Sequence, residues 1–132
     1  IITGESYLDS DILLAIVKES DWLKPKVDLR KINNPKTSVF TIIEAEIVLL
    51  REYSRKDAIE VLEKASEKGI KTVDFTNHVM KKSNEFLSRY DKLNIFDSVH
   101  AAFSFVLKEE ILSTDTIFDE IKEIKRIDPR SI

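Results

Sequence analysis

Short apolar segments rich in β-branched residues alternate along this chain with longer amphipathic stretches, and that alternation leaves few folds open. Tyr7-Leu8 closes a short apolar stretch that predicts a first strand, and Asp11 is placed to cap an apolar-rich helix from Ile12 to Lys18. Residues 21–33 spread Trp22, Leu23, Val27, Leu29 and Ile32 among charges, the pattern of an amphipathic helix capped by Asp21 with Pro25 in its first turns. Asn33-Asn34-Pro35 breaks the chain, and Thr37 to Phe40 reads as a second strand. Helices follow from Ile42 to Tyr53 and from Arg55 to Lys68, the latter begun by Ser54 and ended by Gly69. Ile70 to Val73 predicts a third strand, Thr76 caps a helix reaching Tyr90, and Phe96 to Lys108 makes another. Ile111-Leu112 and Ile124 to Ile127 supply the last two strands. Strands alternating with helices predict an α/β fold, a three-layer α/β/α arrangement with a mostly parallel central sheet. A length of 132 residues suits a single domain over residues 1–132.

Four acidic residues fall where such a chain leaves a strand and enters a helix. They are Asp9 in Leu8-Asp-Ser-Asp-Ile-Leu-Leu14, Glu44 in Thr41-Ile-Ile-Glu-Ala-Glu46, Asp97 in Ile95-Phe-Asp-Ser-Val-His100, and Asp115 in Leu112-Ser-Thr-Asp-Thr-Ile-Phe118. Groups just past the strand ends of an open α/β sheet converge on one crevice. Carboxylates gathered there repel by about 3 kcal/mol per pair at ~5 Å and an effective dielectric near ~20. A hard divalent cation, Mg²⁺ or Mn²⁺, relieves that repulsion through oxygen ligands. Each acid also has a structural role open to it. Asp9 can cap the first helix, Glu44 can close a capping box begun by Thr41, Asp97 sits in a first helical turn, and Asp115 can cap a short turn. The conjunction of the four favours a metal-dependent enzyme. Asp97 is the least secured by position, because its helix follows another helix.

Composition removes other chemistries. Twenty-one Lys and Arg against 24 Asp and Glu leave a net charge of −3, so no global basic field attracts nucleic acid. The densest basic stretch, Lys24, Lys26, Arg30, Lys31 and Lys36, reads as a solvated helix face that could also touch an RNA backbone. With no cysteine, thiol nucleophiles, disulfides and Cys-type zinc sites are excluded, which fits an intracellular protein and says nothing finer, while a cytoplasmic location is a separate expectation. Two glycines rule out a Walker loop and a dinucleotide fingerprint. His78 and His100 stand too far apart for a helical pair, and His100 alone in mid-helix reads as structural. No apolar run approaches ~18 residues, so a membrane span is not expected. Ile1-Ile-Thr-Gly-Glu5 lacks signal-peptide character, and the missing initiator Met suggests numbering that starts inside the natural chain.

With these segments placed, the chain resembles the PIN-domain family, specifically the toxin ribonucleases of VapBC-type toxin–antitoxin pairs, from Tyr7 to Ile127. The matching segments are the four acid-bearing ones, with Ser38-Val-Phe40 leading into the second. The resemblance implies a single PIN-like nuclease domain, a Mg²⁺- or Mn²⁺-dependent endoribonuclease with metal-binding and catalytic acids at Asp9, Glu44, Asp97 and Asp115. It also implies small hydroxyl groups beside the acids at Ser38 and Thr114, a homodimer, and a cognate antitoxin that occludes the acidic pocket. Asp11 departs from the Asn common at that position and adds charge.

The resulting expectation is hydrolysis of RNA phosphodiester bonds. Two other readings compete. Asp9-Ser-Asp11 imitates the nucleophile and acid pair of haloacid-dehalogenase phosphatases, although the chain lacks room for their cap and Asp115 has no adjacent Asp. A catalytically inactive PIN-like module binding RNA or protein is the second.

Overall fold

The computed structural model describes residues 4–18 and 23–132. In chain order the elements are β1 (Glu5–Leu8), α1 (Ser10–Val17), β2 (Asn33–Ser38), α2 (Val39–Glu52), α3 (Arg55–Ala65), β3 (Lys71–Val73), α4 (Asn77–Arg89), α5 (Ile95–Leu107), β4 (Glu110–Leu112) and β5 (Arg126–Ile127). The strands form one sheet in the order β3-β2-β1-β4-β5, and every neighbouring pair is parallel. Tyr7 and Leu8 of β1 lie opposite Ile111 and Leu112 of β4.

Because successive strand residues point to opposite faces, each strand feeds two cores. Leu8 and Leu112 pack with Leu13, Ile16, Leu49 and Ala58 of α1, α2 and α3. Tyr7 and Ile111 pack on the other face with Val79, Phe86, Val99 and Phe103 of α4 and α5. This is the three-layer, parallel-sheet α/β architecture that the alternating pattern predicts.

The order of the strands fixes where a site can form. From β1 the chain proceeds outward through β2 to β3, then returns to build β4 and β5 on the other side of β1. The connections therefore reverse between β1 and β4, and a crevice opens past their carboxyl ends.

Several local expectations are corrected. The helix expected over residues 21–33 is replaced by two 3₁₀ turns, Lys24–Lys26 and Leu29–Lys31. Val27 and Asp28 between them are extended, and the Asp28 side chain accepts from Arg30 N–H to start the second turn. The expected Asp21 cap and Trp22 lie outside the described residues. Asn33-Asn34-Pro35 does not end a segment but opens β2, where Asn34 takes a positive φ of 45° beside a register irregularity. The cap of α1 is Asp9, two residues before Asp11, and the cap of α2 is Ser38 rather than Thr41. The basic stretch does not form one helix face and is solvated only in part, with Lys24 and Arg30 exposed. Lys24 Nζ donates to the Ala15 and Ile16 carbonyls at the end of α1, at 3.3 and 3.1 Å, Arg30 pairs with Asp28, and Lys36 is buried against Glu109. Among the described residues no helix is long and apolar enough to cross a membrane.

Candidate active site

Asp9 follows β1 directly, its backbone N–H extending the ladder to Leu112 O at 3.1 Å. Ser113 follows β4 in the same way, donating its N–H to Ile127 O. The two meet across the crevice, where Ser113 Oγ donates to Asp9 Oδ2 at 2.6 Å and accepts from Asp115 N–H at 2.9 Å. The other Asp9 oxygen accepts from Ser10 N–H at 2.7 Å. The switch point between β1 and β4 thus holds a buried carboxylate with both oxygens engaged.

Glu44 arrives from α2, which leaves β2 without a loop. The helix starts at Val39, so Glu44 lies beyond its first turn and takes no part in a capping box. Its Oε1 instead sits 3.0 Å from His100 Nε2, and that nitrogen is 3.7 Å from Asp9 Oδ1. One ligand atom from each of Asp9, Glu44 and His100 lies within 4.8 Å of the others. His100 is buried, and its Nδ1 contacts the Tyr7 hydroxyl at 2.9 Å. That hydroxyl also meets Ser38 Oγ at 2.7 Å and Thr41 Oγ1 at 3.0 Å.

Asp97 and Asp115 keep their structural roles at the rim. Asp97 closes a capping box with Asn94, accepting from Asn94 N–H at 3.2 Å. Asp115 caps a 3₁₀ turn, Thr116–Glu120, by accepting from Ile117 N–H at 3.0 Å. Neither role excludes a second one, because a carboxylate has about four acceptor positions. Asp11 accepts from the Thr114 N–H and hydroxyl, while its Oδ1 is buried with no hydrogen-bond partner. Asp119 is held in a two-pronged pair by Arg126, which also donates to Ser113 O.

A sequence profile of the PIN domain matches residues 6–124. The chain belongs to the PIN domain family. Solved structures agree on the fold. A chain of VapBC2 from Rickettsia felis, solved with a promoter DNA fragment, is 11% identical with a TM-score of 0.75, covering 94% of this chain and 98% of its own. Mycobacterium tuberculosis VapC20, described as a sarcin–ricin loop cleaving toxin, is 14% identical with a TM-score of 0.76, covering 89% and 95%. PAE2754 from Pyrobaculum aerophilum is 19% identical with a TM-score of 0.64, covering 92% and 90%. A search of curated proteins finds no match.

Electrostatics bind the acids of this PIN domain into one field. Burial pushes the Asp9 carboxyl up to about 6, with the Asp11 charge adding to it and His100 and Ser113 opposing. Asp97 is also raised, first by burial and then by the charges of Asp115 and Glu44. Burial raises Asp11, and Asp115 adds to the effect. For Glu44 burial is the largest single influence, yet hydrogen bonds from His100 and Ser10 outweigh it and hold the carboxyl below its ordinary value. An excess of negative charge with a partnerless Asp11 oxygen suits a hard divalent cation.

His100 and Tyr7 are the participants that sequence reasoning missed. The spacing of Asp97 and His100, three residues apart on one helix face, was the available signal. The PIN family match over residues 6–124 stands against the phosphatase reading. Asp9 is buried with both oxygens hydrogen-bonded, and Asp11 is tied to Thr114. A cavity of about 550 Å³ lined by Ser104, Glu109, Glu110 and Lys125 lies at the opposite, amino-terminal end of β4 and β5, away from these acids.

Proposed function

We propose that this PIN domain, acting as one nuclease unit over residues 1–132, is a divalent-metal-dependent endoribonuclease that hydrolyses RNA phosphodiester bonds. The observation that carries the reading is the meeting of Asp9, Glu44 and His100 at the switch point, with Asp97 and Asp115 in the same field. Asp9, Glu44, Asp97 and Asp115 hold Mg²⁺ or Mn²⁺. When bound, such an ion supplies Lewis acidity for water attack on the phosphate and offsets charge building on it.

The chain's own groups do the positioning. Ser113 and Ser10 fix both oxygens of Asp9, and the His100 contact fixes Glu44. Asp97 and Asp115, each anchored by a cap, present negative charge on the more open side of the crevice. Nothing in the net charge of −3 draws RNA in, so a cation held by these acids would supply the positive charge that the phosphate meets. The VapBC and toxin descriptions of the structural relatives favour an RNA substrate and a cognate antitoxin, and a homodimer working in the cytoplasm belongs to the same proposal.

The test incubates purified protein with pooled structured RNAs, with Mn²⁺ or with EDTA. Cleavage is expected with Mn²⁺ alone. Asp97→Asn and Glu44→Gln should each lose most of it while retaining the wild-type circular dichroism spectrum. Equal cleavage by wild type and Asp97→Asn, or cleavage that survives EDTA, would sink the reading.

A further inference from the structure

Five polar contacts around Tyr7 and Thr41 can all be hydrogen bonds in only one distribution of protons. Thr41 Oγ1 lies 3.3 Å from the Leu8 carbonyl, which can only accept, so the Thr41 hydroxyl proton is spent there. The 3.0 Å contact between Thr41 Oγ1 and Tyr7 must then use the tyrosine proton. With that proton spent, the 2.7 Å contact between Tyr7 and Ser38 requires Ser38 to donate. Ser38 Oγ is meanwhile free to accept from Thr41 N–H at 3.5 Å. The remaining contact, 2.9 Å from Tyr7 to His100 Nδ1, is filled only if Nδ1 carries a proton and donates it. The Tyr7 oxygen accepts twice and donates once, which is its full capacity. This is an assignment from the network as a whole, as hydrogen positions must be.

With Nδ1 donating to Tyr7, the nitrogen turned towards the acids is Nε2, whose lone pair becomes available to an ion once the proton it shares with Glu44 is displaced. That atom faces Glu44 Oε1 at 3.0 Å and Asp9 Oδ1 at 3.7 Å. Neighbouring ligands of an octahedral ion with bonds of ~2.1 Å stand about 3 Å apart, so the three atoms already approach a coordination arc. A metal-binding imidazole ordinarily donates its other N–H to a fixed acceptor, and Tyr7 occupies that place.

We propose that His100 Nε2 is itself a ligand of the divalent cation, which makes the centre a mixed nitrogen–oxygen site that favours Mn²⁺ over Mg²⁺. The proposal rests on the metal-dependent reading above. Imidazole suits transition ions, whereas Mg²⁺ is best served by oxygen alone. Tyr7 is a positioning residue in this arrangement, acting only through the ring it orients.

The test uses wild-type protein loaded with Mn²⁺ alone and read by pulsed electron paramagnetic resonance. Directly bonded imidazole nitrogen should give a ¹⁴N coupling that converts to a ¹⁵N coupling when only histidine is ¹⁵N-labelled. His100→Gln should abolish the coupling, and His78→Gln should leave it. Calorimetry should show Mn²⁺ binding more tightly than Mg²⁺, and Tyr7→Phe, which keeps the ring, should weaken Mn²⁺ by about 10–100-fold. Bound Mn²⁺ whose spectrum ignores the histidine label would overturn the His100 assignment and leave the metal-dependent reading standing. Failure of Mn²⁺ to bind would overturn both. Unchanged Mn²⁺ affinity in Tyr7→Phe would overturn the Tyr7 role.

Discussion

At the scale of single residues, the buried Asp9 makes the sharpest pH prediction among the acids. Burial raises its carboxyl to about 6, above the ~3.9 of an unfolded chain. Between those values the folded protein binds a proton that the unfolded chain has released. The stability this group contributes is therefore complete below about 3.9 and is lost as pH rises through about 6. In EDTA, Asp9→Asn should exceed wild type in stability at pH 7.5, and the difference should shrink towards pH 4. Urea melts at several pH values measure this, and a difference that does not change with pH would count against the buried charge. Glu44 runs the other way. Its lowered carboxyl gives stability above its ordinary range that disappears on acidification.

At the scale of elements, the helix starts decide which hydroxyl matters for what. Ser38 is the cap of α2, so Ser38→Ala should cost about 1 kcal/mol. Thr41, buried inside the first turn, serves Leu8 O and the Tyr7 hydroxyl instead. Thr41→Ala should cost about 1–3 kcal/mol by leaving those groups unpartnered, and Thr41→Ser should recover most of it. Denaturation curves in which Thr41→Ala is neutral would remove the network from the stability account. The elements themselves were mostly legible, because β-branched runs, the Thr76 cap and Gly69 act locally. The expected helix over residues 21–33 failed because Asp28 offers its carboxylate to Arg30 N–H and breaks the run at extended residues. Asp9 and Asp115 are placed by the strands they follow, which is a sequence property, whereas Asp97 enters on a helix that follows another helix. His100 was not legible, since its partners Tyr7 and Glu44 lie 93 and 56 residues away in the chain.

At the scale of the whole molecule, the amino-terminal edge of the sheet contains a buried ion pair, Lys36 with Glu109, joining β2 to the segment after α5. Removing one partner strands the other's charge in a poorly solvated place. Lys36→Met should destabilise by about 3–5 kcal/mol, while Lys36→Met with Glu109→Leu should regain much of the loss. If the single variant is as stable as wild type in urea, the pair is not holding that edge.

The hydrogen bond from Ser113 to Asp9 spans 104 residues of chain. Asp9 leaves the ribosome well before its partner, which follows 104 residues later. At about 5–20 residues per second, some 5–20 s of synthesis separate the two. During that interval helices α1 to α5 can form from local contacts, but the β1–β4 seam cannot close. A nascent chain interrupted before Ser113 therefore carries nearly every helix of the fold and no assembled crevice. The order of strands thus also acts as a timer, keeping the centre unmade until the chain has been made as far as Ser113.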